Sequence, residues 1–163
     1  MNETRIGLPF RHPAALIATG CGVGLLPAMP GTWGSLAALP CAWAIRQAGG
    51  IAALAAAAVF AFAIGCWASA RVAQASGRPD PGFIVIDEVA AQWLVLLVAA
   101  LNLRAYAAAF LLFRLFDIVK PWPIRIVERR VKGGLGVMLD DTAAALYALV
   151  LLLIGEGALG VRP

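Results

Sequence analysis

Lys132-Gly133-Gly134-Leu135-Gly136-Val137-Met138-Leu139-Asp140-Asp141 leads directly into an apolar run over about 142–160, so two adjacent acids stand behind a glycine-rich stretch at the foot of a hydrocarbon segment. That segment approaches the roughly 20 residues a transmembrane helix needs. Carboxylates beside a bilayer are costly unless they pair, bind a metal or face water, so an adjacent pair here suggests a site.

The rest of the chain supports this reading. Of 163 residues, 62% are hydrophobic and only 13% charged, and the mean hydropathy is +0.86, too apolar for an ordinary soluble domain. Nothing alternates apolar and polar residues as a barrel strand would, which leaves helices to satisfy the backbone in lipid. The expectation is an all-α integral membrane bundle, one domain over 1–163, with about four to five short transmembrane helices plus an N-terminal interfacial or re-entrant segment. Cys21, Cys41 and Cys66 lie singly in apolar surroundings without metal-ligand spacing and read as packing residues.

Apolar runs fall at about 34–48, 51–70, 89–101, 105–116 and 142–160, after a less regular stretch at about 13–26 that is broken by Gly20, Gly22, Gly24 and Pro27 and lacks a convincing cleavage site. Several runs are short, so their polar flanks belong near or inside the headgroup layer. Five crossings from a cytoplasmic N-terminus place nine of the 13 Lys and Arg residues on the cytoplasmic side, including Arg5, Arg71, Arg78, Lys120 and Arg129. Arg46, Arg104 and Arg162 fall opposite, and Arg114 inside a run. This bias fits the positive-inside rule, and the net charge of +4 then reflects topology and attraction to anionic lipid, with no call for nucleic acid.

The same arrangement gathers acids on one face. Asp87-Glu88 opens one run, Asp117 closes the next and Asp140-Asp141 begins the last. Hard oxygen ligands of this kind suit Mg²⁺ alongside a substrate phosphate. Arg114, Lys120, Arg125, Arg129, Arg130 and Lys132 surround the acids in sequence and could neutralise phosphate oxygens, although some must serve only as topology markers, and the glycine-bearing loops, one of which carries Thr32 and Ser35, could bring backbone N–H groups to an anion. Simpler readings stand beside these. Either Asp140 or Asp141 alone could cap the last helix. Asp117 is three residues from both Arg114 and Lys120, spacing that also fits a local ion pair, and Glu128 beside Arg129 and Arg130 fits a solvated face.

Several blocks together carry a resemblance: Gly24-Leu25-Leu26-Pro27, Pro30-Gly31-Thr32-Trp33-Gly34-Ser35-Leu36, Ile86-Asp87-Glu88, Phe113-Arg114-Leu115-Phe116-Asp117, Lys120-Pro121-Trp122-Pro123-Ile124 and Lys132 to Asp141. In kind and order they resemble the phosphatidylglycerophosphatase A family over about residues 13–155. The resemblance implies a bacterial inner-membrane, multi-pass, Mg²⁺-dependent phosphatase with its active site facing the cytoplasm, hydrolysing phosphatidylglycerophosphate to phosphatidylglycerol and phosphate. It would place catalytic and metal-binding roles among Asp87, Glu88, Asp117, Asp140 and Asp141, and phosphate contacts on Arg114, Lys120, Lys132, Thr32 and Ser35. Direct attack by water is expected, because no residue has the setting of a nucleophile. Oligomeric state is not readable.

Rival classes are weaker. A histidine-based lipid phosphatase needs two histidines, and the chain has His12 alone. A CDP-alcohol phosphotransferase also places acids and Mg²⁺ at a membrane face, but its long acidic motif is missing. A small divalent-cation transporter would set acids near the middle of its crossing helices, whereas these gather at one face.

Overall fold

The computed structural model describes residues 6–122 and 124–158, and among them every regular element is helical. Arg5, Pro123, Arg162 and the side chains of Glu128 and Arg129, all used above, lie outside the described residues. In chain order the helices are α1 (Pro13–Ala18), a 3₁₀ turn (Val23–Leu25), α2 (Pro30–Ser76), α3 (Ile86–Leu96), α4 (Leu103–Val119), α5 (Ile124–Arg130) and α6 (Gly133–Ala158).

The helix boundaries follow local chemistry. Proline opens both α1 and α2, where the missing N–H costs nothing. His12 caps α1 by accepting from the Ala14 N–H at 3.1 Å, and Asn102 caps α4 by accepting from the Ala105 N–H at 2.9 Å. Gly77, in the left-handed region at φ 68°, closes α2. Within α2, Gly50 has φ 70° and ψ −165°, a conformation essentially limited to glycine, which divides the helix into arms 30–49 and 51–76. Both arms return to the same end of α3: a Cβ on Gly34 would meet Val85, and one on Gly65 would meet Ile86 and Met138. The chain therefore folds back at Gly50.

Arg46, near that bend, donates to the carbonyls of Leu96 (3.1 Å) and Ala99 (2.5 Å) at the far end of α3. Trp93 ties the middle of α3 to the first arm of α2 through Nε1–H to Ala38 O at 2.9 Å. The N-terminal segment joins the other end, where the Val85 N–H donates to Ala18 O at 2.8 Å. One apolar cluster, including Ala42, Leu54, Leu96, Phe113 and Ala145, fills the far end of the bundle. A second, including Ile6, Ala18, Val72, Ile84 and Met138, lies under the N-terminal segment. The acid-bearing turns of α3 and α6 sit where these clusters meet.

Helices α2 and α6 are long and apolar enough to cross a membrane. The helices also begin or end beyond the apolar runs read from the sequence. Helix α3 starts at Ile86 and α4 continues to Val119, so Asp87, Glu88 and Asp117 are helical residues. Helix α6 begins at Gly133, which puts Asp140 and Asp141 two turns inside it and removes them from any capping position. The glycine-rich run is helical because it packs against backbone: a Cβ on Gly134 would meet Cys66 O and the Ala70 amide.

Two glycines of α6 give opposite expectations. Gly134→Ala should lower the thermal midpoint in detergent, since overpacking typically costs about 1–3 kcal/mol. Gly155 has open space about its missing Cβ, so Gly155→Ala should raise the midpoint slightly through helix propensity, by about 0.5–1 kcal/mol. Shifts of the same sign would contradict this packing.

Candidate metal centre

Asp87 and Glu88 lie in the first turn of α3 and Asp141 lies on α6. Carboxylate oxygens from these three residues are all within 4.8 Å of one another. Asp87 and Asp141 are buried and Glu88 is partly buried. Asp87 Oδ1, Glu88 Oε2 and Asp141 Oδ2 are enclosed with no protein hydrogen-bond partner. Two like charges at this separation repel by roughly 3–4 kcal/mol at an effective dielectric of about 20, and three pairs multiply that cost. The cluster therefore calls for a cation or protons.

Nearby basic side chains do not supply enough positive charge. Arg114 Nη1 is 2.6 Å from Asp117 Oδ2 but 3.9 Å from Glu88 Oε1, so most of its charge is taken by its own-helix neighbour. The same nitrogen reaches Ser35 Oγ at a long 3.5 Å, while Ser35 donates to Gly31 O at 2.8 Å. Lys120 Nζ is 2.7 Å from Asp140 Oδ2. Three enclosed carboxylates with open lone pairs and no dedicated cation fit a hard divalent ion.

Each candidate residue has a definite place. Asp87, Glu88 and Asp141 form the triad, and Asp117 lies at its edge, held by the Arg114 guanidinium that also reaches Glu88. Asp140 turns elsewhere, as adjacent residues on a helix must. It pairs with Lys120 and lines a separate cavity of about 150 Å³ together with Asp80, Lys132 and Gly136. Arg114 and Ser35 border the triad through Glu88 and Gly31, whereas Thr32 Oγ1 is enclosed and without a partner. The local ion pair expected of Asp117 is present with Arg114, while Lys120 pairs across helices.

Two residues near the triad have roles that the sequence does not assign them: Gln92 is no candidate for the site there, and Gly31 is expected only to bring backbone N–H groups to an anion. Gln92 is fully buried, and neither polar atom of its side chain has a protein partner. It lies one turn beyond Glu88 on the same face of α3, next in line to the enclosed Glu88 Oε2. Gly31 makes room for the triad, because a Cβ there would strike Glu88 Oε1. Its signal was a glycine in the first turn of a helix facing an acid.

An apolar helical bundle with two helices long enough to cross a membrane and an enclosed group of carboxylates describes an all-helical protein of membrane character with a candidate cation site. Comparison with known proteins gives the family. The chain belongs to the phosphatidylglycerophosphatase A family, whose model matches residues 16–156. It is 37% identical over 140 residues to the Haemophilus influenzae protein named phosphatidylglycerophosphatase A, covering 85% of this chain and 86% of that one. The Escherichia coli protein of the same name is 38% identical over 151 residues, 91% of this chain and 87% of that one. A Bacteroides thetaiotaomicron protein, provisionally named a phosphatidylinositol-3-phosphatase, is 40% identical over 158 residues, 89% of this chain and 94% of that one. No solved structure matches the chain at a significant level.

Gly31→Ala should weaken divalent-cation binding at least about tenfold by displacing Glu88. Mn²⁺ titration of the detergent-solubilised protein, followed by electron paramagnetic resonance, measures this directly. Unchanged affinity would remove Glu88 from the ligand set.

Proposed function

We propose that this protein is a Mg²⁺-dependent phosphoric monoester hydrolase that converts phosphatidylglycerophosphate to phosphatidylglycerol and inorganic phosphate at the cytoplasmic face of a bacterial inner membrane. The observation that carries the reading is the triad of Asp87, Glu88 and Asp141 in a chain of this family. The two arms of α2 with α4 and α6 make up the crossing helices, α3 enters the hydrocarbon part-way from the acidic side, and α1 with the 3₁₀ turn forms the interfacial or re-entrant segment. Helix α3, at 11 residues, covers only about 16 Å, so its acidic end lies near the headgroups while the acyl chains stay in the bilayer. Anionic lipid favours the basic side of the protein.

Asp87, Glu88 and Asp141 would hold Mg²⁺, which when bound supplies positive charge to the phosphoryl oxygens. The remaining work belongs to the chain's own side chains. Arg114, fixed between Asp117 and Glu88, faces the phosphate that approaches the triad. Lys120 and Lys132 add charge from the neighbouring cavity, with Asp140 holding the Lys120 ammonium in place. Thr32, at the start of α2, has an enclosed hydroxyl without a protein partner that can serve the phosphate, while Ser35, whose O–H donates to Gly31 O, steadies the Arg114 guanidinium by accepting from it. Asp117 orients the attacking water. Attack at phosphorus breaks its bond to the terminal glycerol oxygen, which leaves with a proton as the free hydroxyl of phosphatidylglycerol.

The separate placement of Asp140 and Asp141 sets the test. Phosphate release from phosphatidylglycerophosphate in mixed micelles should require Mg²⁺ and stop with chelator. Asp141→Asn should lower kcat by roughly 100-fold or more, whereas Asp140→Asn should act mainly on KM, by about tenfold, through Lys120. A phosphatidylinositol 3-phosphate arm, suggested by the name of the Bacteroides relative, should give slower release. No release from the glycerol lipid by folded, metal-loaded protein would overturn the proposal.

A further inference from the structure

A cavity of about 510 Å³ opens between the 3₁₀ turn, the start of α2 and the loop that joins α2 to α3. Leu25, Leu26, Pro27, Pro30 and Phe83 give it apolar walls, and among the described residues Arg78 is the one charged residue that lines it. Its wall is tightly built at Gly24, where a Cβ would strike the Phe83 carbonyl. Arg78 has no ion pair or hydrogen bond among the described residues. The cavity also borders the metal centre: Pro30 lines it, and the next residue, Gly31, lies against Glu88 Oε1.

These features match the part of the substrate that does not react. Under the phosphatase reading above, on which this inference rests, the terminal phosphomonoester sits at the triad. One glycerol unit away the same molecule carries a phosphodiester, which is singly negative at any physiological pH and leads on to the acyl-bearing glycerol. An anion of that kind against apolar walls needs a cation, and a guanidinium offers two parallel donors to two phosphate oxygens. We infer that this cavity is the subsite for the glycerol–phosphodiester portion of the lipid, with Arg78 on the diester phosphate. A site that reads the diester as well as the monoester favours lipids carrying a polyol between two phosphates over those whose only phosphate is the monoester.

Inhibition by phosphatidylglycerol, which has the diester and lacks the monoester, reports on this subsite, and inhibition by inorganic phosphate reports on the triad. In neutral mixed micelles, Arg78→Gln should raise both KM for phosphatidylglycerophosphate and Ki for phosphatidylglycerol about tenfold, leaving kcat and Ki for inorganic phosphate unchanged. Arg78→Lys, which keeps the charge without the planar donor pair, should recover part of the loss. Gly82 lines the cavity with open space about its missing Cβ, so Gly82→Leu should obstruct the subsite with no change of charge and raise the same two constants.

An Arg78→Gln variant that shifts neither lipid constant, or shifts Ki for inorganic phosphate equally, would overturn the assignment. So would a lipid effect of Arg78→Gln that Gly82→Leu fails to reproduce, since that pattern describes attraction of a charged surface to anionic micelles. Wild-type protein that releases no phosphate from phosphatidylglycerophosphate would overturn the phosphatase reading and this one together. Wild-type release combined with any of the preceding failures removes the subsite alone.

Discussion

Carboxylates from α3 and α6 can meet only because the helices that carry and support them approach to backbone contact. Gly65 on the second arm of α2 accepts Ile86 and Met138 where a Cβ would stand, and Gly134 on α6 lies against the Cys66 carbonyl. Gly34 on the first arm does the same for Val85, one residue before α3 begins. In lipid no hydrophobic drive pushes helices together, so close packing at small residues carries that role. The bend at Gly50 then lets one continuous stretch of chain supply two of these contacts to the same end of α3.

That geometry brings together more negative charge than the adjacent basic groups offset. Asp117 takes Arg114 at 2.6 Å and Asp140 takes Lys120 at 2.7 Å, which leaves Glu88 a distant share of Arg114 at 3.9 Å and, among the described residues, Asp87 and Asp141 without an ion pair. The division makes chemical sense. Paired acids hold basic side chains at the rim, while Asp87 Oδ1, Glu88 Oε2 and Asp141 Oδ2 are left enclosed without a protein donor. Removing one partner of either rim pair would leave a partly enclosed charge exposed to its neighbours, so the rim and the triad are coupled electrostatically.

Much of this was legible in the sequence, because hydrophobic runs and helix-end acids are one-dimensional signals. The runs at 34–48 and 51–70 correspond to the arms of α2, and the Gly49-Gly50 junction marks the bend. The gathering of Asp87, Glu88, Asp117, Asp140 and Asp141 near one end of the bundle was also readable. Direction around a helix was not. Asp140 and Asp141 read as one pair, yet a rotation of about 100° between neighbours sends the first to Lys120 and the second to the triad. Lys120 was equally well placed in sequence to serve Asp117, and only the cross-helix arrangement decides for Asp140. Gln92 stands four residues after Glu88, a spacing that fits an ordinary contact along one helix face, and its burial depends on neighbours far away in the chain.

The backbone at Lys120 shows how the end of α4 serves the site. Lys120 closes the helix in the left-handed region at φ 44°, a position where glycine would be unstrained and another residue costs about 1–2 kcal/mol. Several interactions offset that cost. Its N–H donates to Phe116 O at 2.8 Å, the Arg125 side chain donates to the carbonyls of Lys120 and Val119 at 3.0 and 3.2 Å, and Pro121 follows. Tyr147 on α6 adds a hydrogen bond to Trp122 O at 2.9 Å, tying the turn to the helix that bears the acids. Glycine would relieve the strain but would remove the ammonium that meets Asp140. A turn held in this conformation by contacts on both sides delivers a cation from α4 to the rim of a site built on α3 and α6.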